Sequence, residues 1–165
     1  MKIECGGYEF DFTNALNAFI FDETDKNKPN YHGLSHAMKA VDIIVELEDK
    51  YLFIEIKDFD DPEIYANHEP FDYLRETLKY KYRDTWLYRW AEGKTNKPIV
   101  YICLLELETG LITRMNKEMR KQLPLKVCGP QSRWCNEISS GCAVLSLHLW
   151  NTRFTAWPAS RLAQT

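Results

Sequence analysis

No stretch of the 165-residue chain reaches the roughly 18 consecutive apolar residues that a membrane span needs. Glycine and proline are sparse, seven of each, and neither a repeat nor a low-complexity linker is visible. A collagen-like rod and a disordered tether are therefore excluded. The five cysteines make an odd count that does not suit a framework of disulfides. The first residues, with Lys2, Glu4 and Cys5 ahead of no long apolar run, do not read as a secretory signal. A soluble, cytoplasmic protein with reduced thiols is the expectation. Also missing are a glycine-rich loop ending in Gly-Lys-Ser or Gly-Lys-Thr, a Gly-x-Ser-x-Gly elbow and a His-Glu-x-x-His helix.

Hydrophobic residues make up 45% of the chain and aromatics 13%, enough for one domain with a sizeable core. Lys and Arg number 21 against 24 Asp and Glu, a net charge of -3, which does not favour a strong polyanion binder. The average conceals an asymmetry. Residues 1 to 70 carry 6 basic and 16 acidic side chains, residues 71 to 121 carry 11 and 7, and residues 122 to 165 carry 4 and 1. An acidic front half is suited to holding a cation and the remainder to facing an anion, although a solvated surface with uneven charge accounts for the same counts. Cys103 lies in an apolar run and reads as core. Cys128, Cys135 and Cys142 stand seven apart, unlike the close pairs of structural zinc sites, so a zinc centre built from them and His148 is not expected.

Residues 12 to 21 place Phe12, Leu16, Phe19 and Ile20 at helical spacing, with Asp11 able to cap, and predict a first helix. The polar run from 22 to 33 reads as a loop. Residues 40 to 48 and 51 to 59 predict an antiparallel hairpin around Asp49-Lys50, followed by an acidic loop over 60 to 70. Phe71, Leu74, Leu78, Tyr82 and Trp86 mark a long helix over 71 to 91. A strand over 99 to 107, a short helix over 113 to 122, a last strand over 143 to 150 and an irregular tail complete an α/β or α+β domain.

The chemistry-bearing residues lie in the hairpin. Strand side chains alternate, so Val41, Ile43, Val45 and Leu47 share one face with Leu52, Ile54 and Ile56. Asp42, Glu55 and Lys57 then share the other. With a two-residue turn at Asp49-Lys50, paired residue numbers add to 99, which puts Asp42 across from Lys57 and diagonal to Glu55. A one-residue slip would move Asp42 to the apolar face, so hydrophobic patterning protects the polar cluster. Two carboxylates suit Mg²⁺ or Mn²⁺, with the Ile56 carbonyl a further oxygen donor, and a lysine beside them suits activation of water for phosphodiester hydrolysis. A plain cross-strand ion pair between Asp42 and Lys57 on a solvated face explains the same residues.

Asp42 followed by Glu55-Ile56-Lys57 resembles the PD-(D/E)xK, or restriction-endonuclease-like, nuclease superfamily. Val41 stands where that family's first motif carries its proline. The resemblance spans residues 12 to 107 as core, with 108 to 165 as a family-specific extension of a single domain. It implies a mixed sheet flanked by helices, catalytic Asp42, Glu55 and Lys57, and a divalent ion held by Asp42, Glu55 and Ile56. It also implies an acidic residue from the first helix, for which Glu23, then Asp22, then Glu9 are the candidates. The missing third strand of the meander falls within 31 to 38 or within 2 to 10. Nucleic acid, DNA before RNA, is the implied substrate, with a homodimer or a protein partner left open.

On the long helix Arg75, Lys79 and Arg83 form a cationic stripe suited to backbone phosphates. The resemblance favours Lys79, since related folds place a polar residue of this helix near the metal. A solvated helix face is the plainer account. His32 and His36 read as surface or packing residues, and the numerous tyrosines and tryptophans as core before base-stacking platforms. Two non-catalytic readings remain: a nuclease-fold protein that only binds nucleic acid or a protein, and an immunity-type protein whose acidic half docks a basic partner.

Overall fold

The computed structural model describes residues 1–57, 70–126 and 133–163. Most of the acidic loop expected over 60 to 70, the last two residues of the expected second strand and Cys128 lie outside the described residues. The chain opens with β1 (Lys2–Cys5) and β2 (Tyr8–Asp11), joined by Gly6 and Gly7, both at positive φ, 58° and 79°. A two-residue turn with positive φ at both centres matches the right-handed twist of the flanking strands, which is why glycine stands there. These strands and β8 (Ala159–Arg161) form a small antiparallel sheet in the order β1-β2-β8.

The main sheet contains β3 (Asn17–Ile20), β4 (Ile43–Glu46), β5 (Tyr51–Lys57), β6 (Ile99–Leu105) and β7 (Gly141–Leu145), in that spatial order. The first three strands are antiparallel neighbours and the last three parallel ones. Parallel neighbours need crossovers. Helices α1 (Pro70–Ala91) and α2 (Thr109–Gln122) supply them. The short α3 (Leu147–Arg153) follows β7, started by Ser146, whose hydroxyl accepts from the Leu149 N–H at 3.3 Å. The protein is thus α/β, with a mixed five-stranded sheet and three helices among the described residues.

Two apolar layers hold it. Ile44, Tyr51, Phe53 and Tyr101 meet Leu74, Leu78 and Tyr82 of α1 and Met115 and Met119 of α2. On the opposite face Ile43, Val45, Leu52, Ile54 and Ile56 meet Tyr8 and Phe10 of the small sheet and Trp150 of α3. Fully burying one such side chain contributes about 1.5–3 kcal/mol. The sheet is covered on both faces, so no face of β5 is left to solvent.

Several expectations need correction. Residues 12 to 21 form no helix: β3 lies there, antiparallel to β4, with Leu16 63% exposed where a helical face would have buried it. The open edge of β4 offers a ladder of hydrogen bonds, and that outweighs a four-residue helical pattern. The third strand of the meander is therefore 17–20, within neither of the two segments expected to hold it. The last strand ends at Leu145 and gives way to α3, and the tail is not irregular but pairs with β2. In the hairpin the paired numbers add to 97, as in Ile43 with Ile54 and Val45 with Leu52. The Leu47 N–H donates to the Lys50 carbonyl, centring the turn on Glu48-Asp49 instead of Asp49-Lys50. A shift of two leaves the faces of β4 and β5 as predicted, because side chains alternate with period two. Val41, however, lies ahead of β4, where the alternation does not hold, and packs with Ile44 and Phe53 instead of with Ile43 and Val45.

Candidate active site

The corrected register sets Asp42, just before β4, at the level of Glu55 instead of Lys57. The ladder ends there because Asp42 takes over its hydrogen bonds. Its Oδ2 accepts from the Ile56 N–H at 2.7 Å, and its carbonyl accepts from the Phe21 N–H at 2.8 Å. Glu55 occupies the face covered by α1 and is 0% exposed. The expected solvated polar face is therefore a buried one, since α1 lies across it.

Into this space comes Lys81, from the inner face of α1. Its Nζ stands 2.8 Å from Glu55 Oε1, 3.6 Å from Asp42 Oδ1 and 4.0 Å from Asp22 Oδ2. Lys57 Nζ stands 3.2 Å from Glu55 Oε1. Burial, then the charge of Asp42, push the Glu55 carboxyl up to about 8, against the opposing pull of Lys81 and Lys57. Burial alone would lower Lys81, but Glu55 and Asp42 outweigh it and hold the ammonium above its usual range. Among the described residues Glu55 Oε2 has no hydrogen-bond donor, although it is sealed from solvent. Exposure grows outward, from Glu55 at the floor to Lys57 and Asp22, each 34% exposed by side chain, at the mouth.

The same helix face fixes the strand that carries Asp42. Thr85 Oγ1 accepts from the Val41 N–H and Asp84 Oδ2 from the Lys39 N–H, both at 3.0 Å. Across the sheet, the β1–β2 turn presses on Ile56: a Cβ built on Gly6 would lie 2.8 Å from its Cγ2. That turn holds Cys5 within electrostatic reach, for burial and then Asp42 and Glu55 push its thiol up to about 12.

Asp42, Glu55 and Lys57 are thus brought together. Glu23 is not with them: its Oε1 accepts from the Asp25 N–H at 2.9 Å and its Oε2 lies 3.5 Å from Lys28. Asp22, its neighbour, is the acid that approaches Lys81. Glu9 pairs with Lys2 in the first hairpin. Ile56 contributes its N–H to Asp42. Lys79, favoured as the residue nearest the ion, turns instead to Glu76 at 2.8 Å and to Gln122 of α2. Arg75 pairs with Asp72 and Arg83 with Asp84, at 3.0 and 2.9 Å. Lys81 was legible all the same: with Leu74, Leu78 and Thr85 it continues the inward spacing of three and four, and a lysine in that register must meet buried charge. His32 is a packing residue, stacked on Phe21 with ring centres 5.3 Å apart. Among the described residues no three His, Cys, Asp or Glu side chains group as a metal site, and Cys5, Cys103, Cys135 and Cys142 are free.

Comparison with protein-family models, with curated proteins and with solved structures finds no match for this chain. The class defined by fold and site is an α/β protein with a buried carboxylate-lysine cluster at the end of its central hairpin.

Proposed function

We propose that this cluster is the centre of a divalent-metal-dependent nuclease of PD-(D/E)xK type that hydrolyses phosphodiester bonds, with DNA the substrate that the resemblance implies. One observation carries the reading. A fully buried glutamate stands level with a second carboxylate, keeps its Oε2 without a donor among the described residues, and faces two lysines. Burying ionisable groups is costly, and a stable fold gains little from them, so their retention points to use.

The donor set suits a hard cation that keeps much of its water, and Glu55 and Asp42 would hold it. Mg²⁺ or Mn²⁺ bound there would supply Lewis acidity toward a phosphoryl oxygen. Lys57, at the mouth, orients the attacking water and offsets charge on the phosphate oxygens. Lys81, at the floor, keeps Asp42 and Glu55 aligned and receives the charge of Glu55 when its proton leaves. The Ile56 N–H holds Asp42 in place.

The test is cleavage of linear, nicked and single-stranded DNA with Mg²⁺, Mn²⁺ and chelator, for the parent and for Asp42→Asn, Glu55→Gln and Lys57→Met. Metal-dependent cutting that falls at least a hundredfold in each variant is expected. Undiminished cutting in all three would refute the assignment. A second reading has its own observation: Lys81 already sets an internal cation beside both carboxylates. Calorimetry with Mn²⁺ separates the two, because a chain that only binds nucleic acid through this fold would take up no ion at Glu55.

A further inference from the structure

Helix α1 carries a second face of large side chains, turned away from the sheet. Leu74, Leu78 and Tyr82 are buried on its inner side, whereas Tyr80, Leu87 and Trp90 are 36%, 50% and 58% exposed. We infer that this outer face binds the same face of a second copy of the chain, with the two α1 helices antiparallel. None of these residues belongs to the Glu55 cluster, so the pairing stands apart from the nuclease reading.

The spacing is that of a helix seam. Tyr80, Arg83, Leu87 and Trp90 stand three, four and three apart, the alternation that keeps one side of a helix facing another helix. A lone exposed leucine is ordinary on a protein surface, but a row of large side chains along one helix marks a contact. Tyr, Trp and Arg are also the types that dominate interface energetics. The row is ordered in advance, since the Arg83 guanidinium lies 4.5 Å from the centre of the Tyr80 ring and its Nε 2.9 Å from Asp84. Beside Trp90 the apolar surface continues into a groove of about 270 Å³ lined by Trp86, Trp134 and Ile138.

The face is complementary to itself. In an antiparallel pair whose facing residue numbers add to 170, Tyr80 comes beside Trp90 of the second copy and Leu87 beside the stem of its Arg83, each twice by symmetry. The same register brings Glu76 over the turn after α1 that carries Lys94 of the second copy. Glu76 is 36% exposed by side chain and Lys94 is exposed, so both ends of the pair close on opposite charges. A parallel pair would set Arg83 against Arg83 and Glu76 against Glu76, which like charges oppose. A nucleic-acid strand would meet Glu76 and Asp84 and gain little from Leu87.

One helix face lies at the small end of specific interfaces, so dissociation in the micromolar range is expected. Sedimentation velocity of the full chain, from the low to the high micromolar range, is the measurement. The parent should pass from monomer to dimer. Leu87→Glu should remain monomeric throughout, and Trp90→Ala should weaken the dimer about tenfold. Glu76→Lys and Lys94→Glu should each weaken it as well, and the two together, with the charges exchanged, should recover the parental dimer. These side chains lie outside the core, and circular dichroism of each variant should match the parent. A parent that stays monomeric would leave the face to the helix of another protein and overturn the proposal. A dimer that survives Leu87→Glu forms elsewhere, which overturns it equally. Charge variants that do not recover in combination would overturn the antiparallel register. Cleavage assays play no part, so failure here and failure of the nuclease reading are separate results.

Discussion

Glu55 shows how one residue's environment sets its chemistry. Its carboxyl is raised from the usual 4.5 to about 8 by burial first and Asp42 second, so folding takes up a proton between those values. The unfolded chain binds fewer protons there, and stability must fall as pH rises from about 4.5 to about 8, then level off. Urea unfolding across that range should show the decline, and Glu55→Gln, which keeps the shape but cannot ionise, should remove it. A parent profile flat over the window would mean that Glu55 is ionised at low pH in the folded protein. Lys81→Met extends the argument. Removing one partner of a buried ion pair costs about 3–5 kcal/mol when the other stays charged. Here Glu55 can instead keep its proton, so the loss should be small near pH 5 and large near pH 9.

At the scale of the element, α1 divides its residues by face. Lys81, Thr85 and Arg89 point inward with Leu74 and Leu78, whereas Arg75, Lys79 and Arg83 pair with Asp72, Glu76 and Asp84 on the helix itself. The stripe that appeared cationic is locally neutralised, and phosphate contacts from it must compete with those acids. If it does touch a duplex, replacing all three by Gln should lower the salt slope of DNA binding by fewer than three units, since each phosphate contact accounts for roughly one. Binding measured at several salt concentrations decides it, and an unchanged slope removes the stripe from the nucleic-acid surface. The hairpin of β4 and β5 was legible to the level of its faces, because period-two alternation survives an error of two in register. Its turn was not, since Glu48-Asp49 and Asp49-Lys50 are equally polar and only the Leu47–Lys50 hydrogen bond distinguishes them.

In the whole molecule the small sheet braces the site from behind. Gly6 touches Ile56, the residue between Glu55 and Lys57, and lies at φ 58°. Gly7, at φ 79°, faces open space. Both Gly→Ala variants should lose about 1–2 kcal/mol to backbone strain. Only Gly6→Ala should lose more and also disturb the proposed metal site, because its Cβ displaces Ile56. Equal losses in urea unfolding, with unchanged metal binding, would show that the brace does not transmit to the site. The sequence by itself determined the α/β class, the long helix, the apolar face of the hairpin and the company of Asp42, Glu55 and Lys57. These follow from local periodicity, which a strand or helix expresses wherever it is placed. Only the tertiary structure decided that residues 17 to 20 are a strand, that the tail joins β2, and that Asp22 rather than Glu23 approaches Lys81. Those outcomes depend on which edges and faces remain to be covered once the chain has closed on itself, and no spacing along the sequence encodes that.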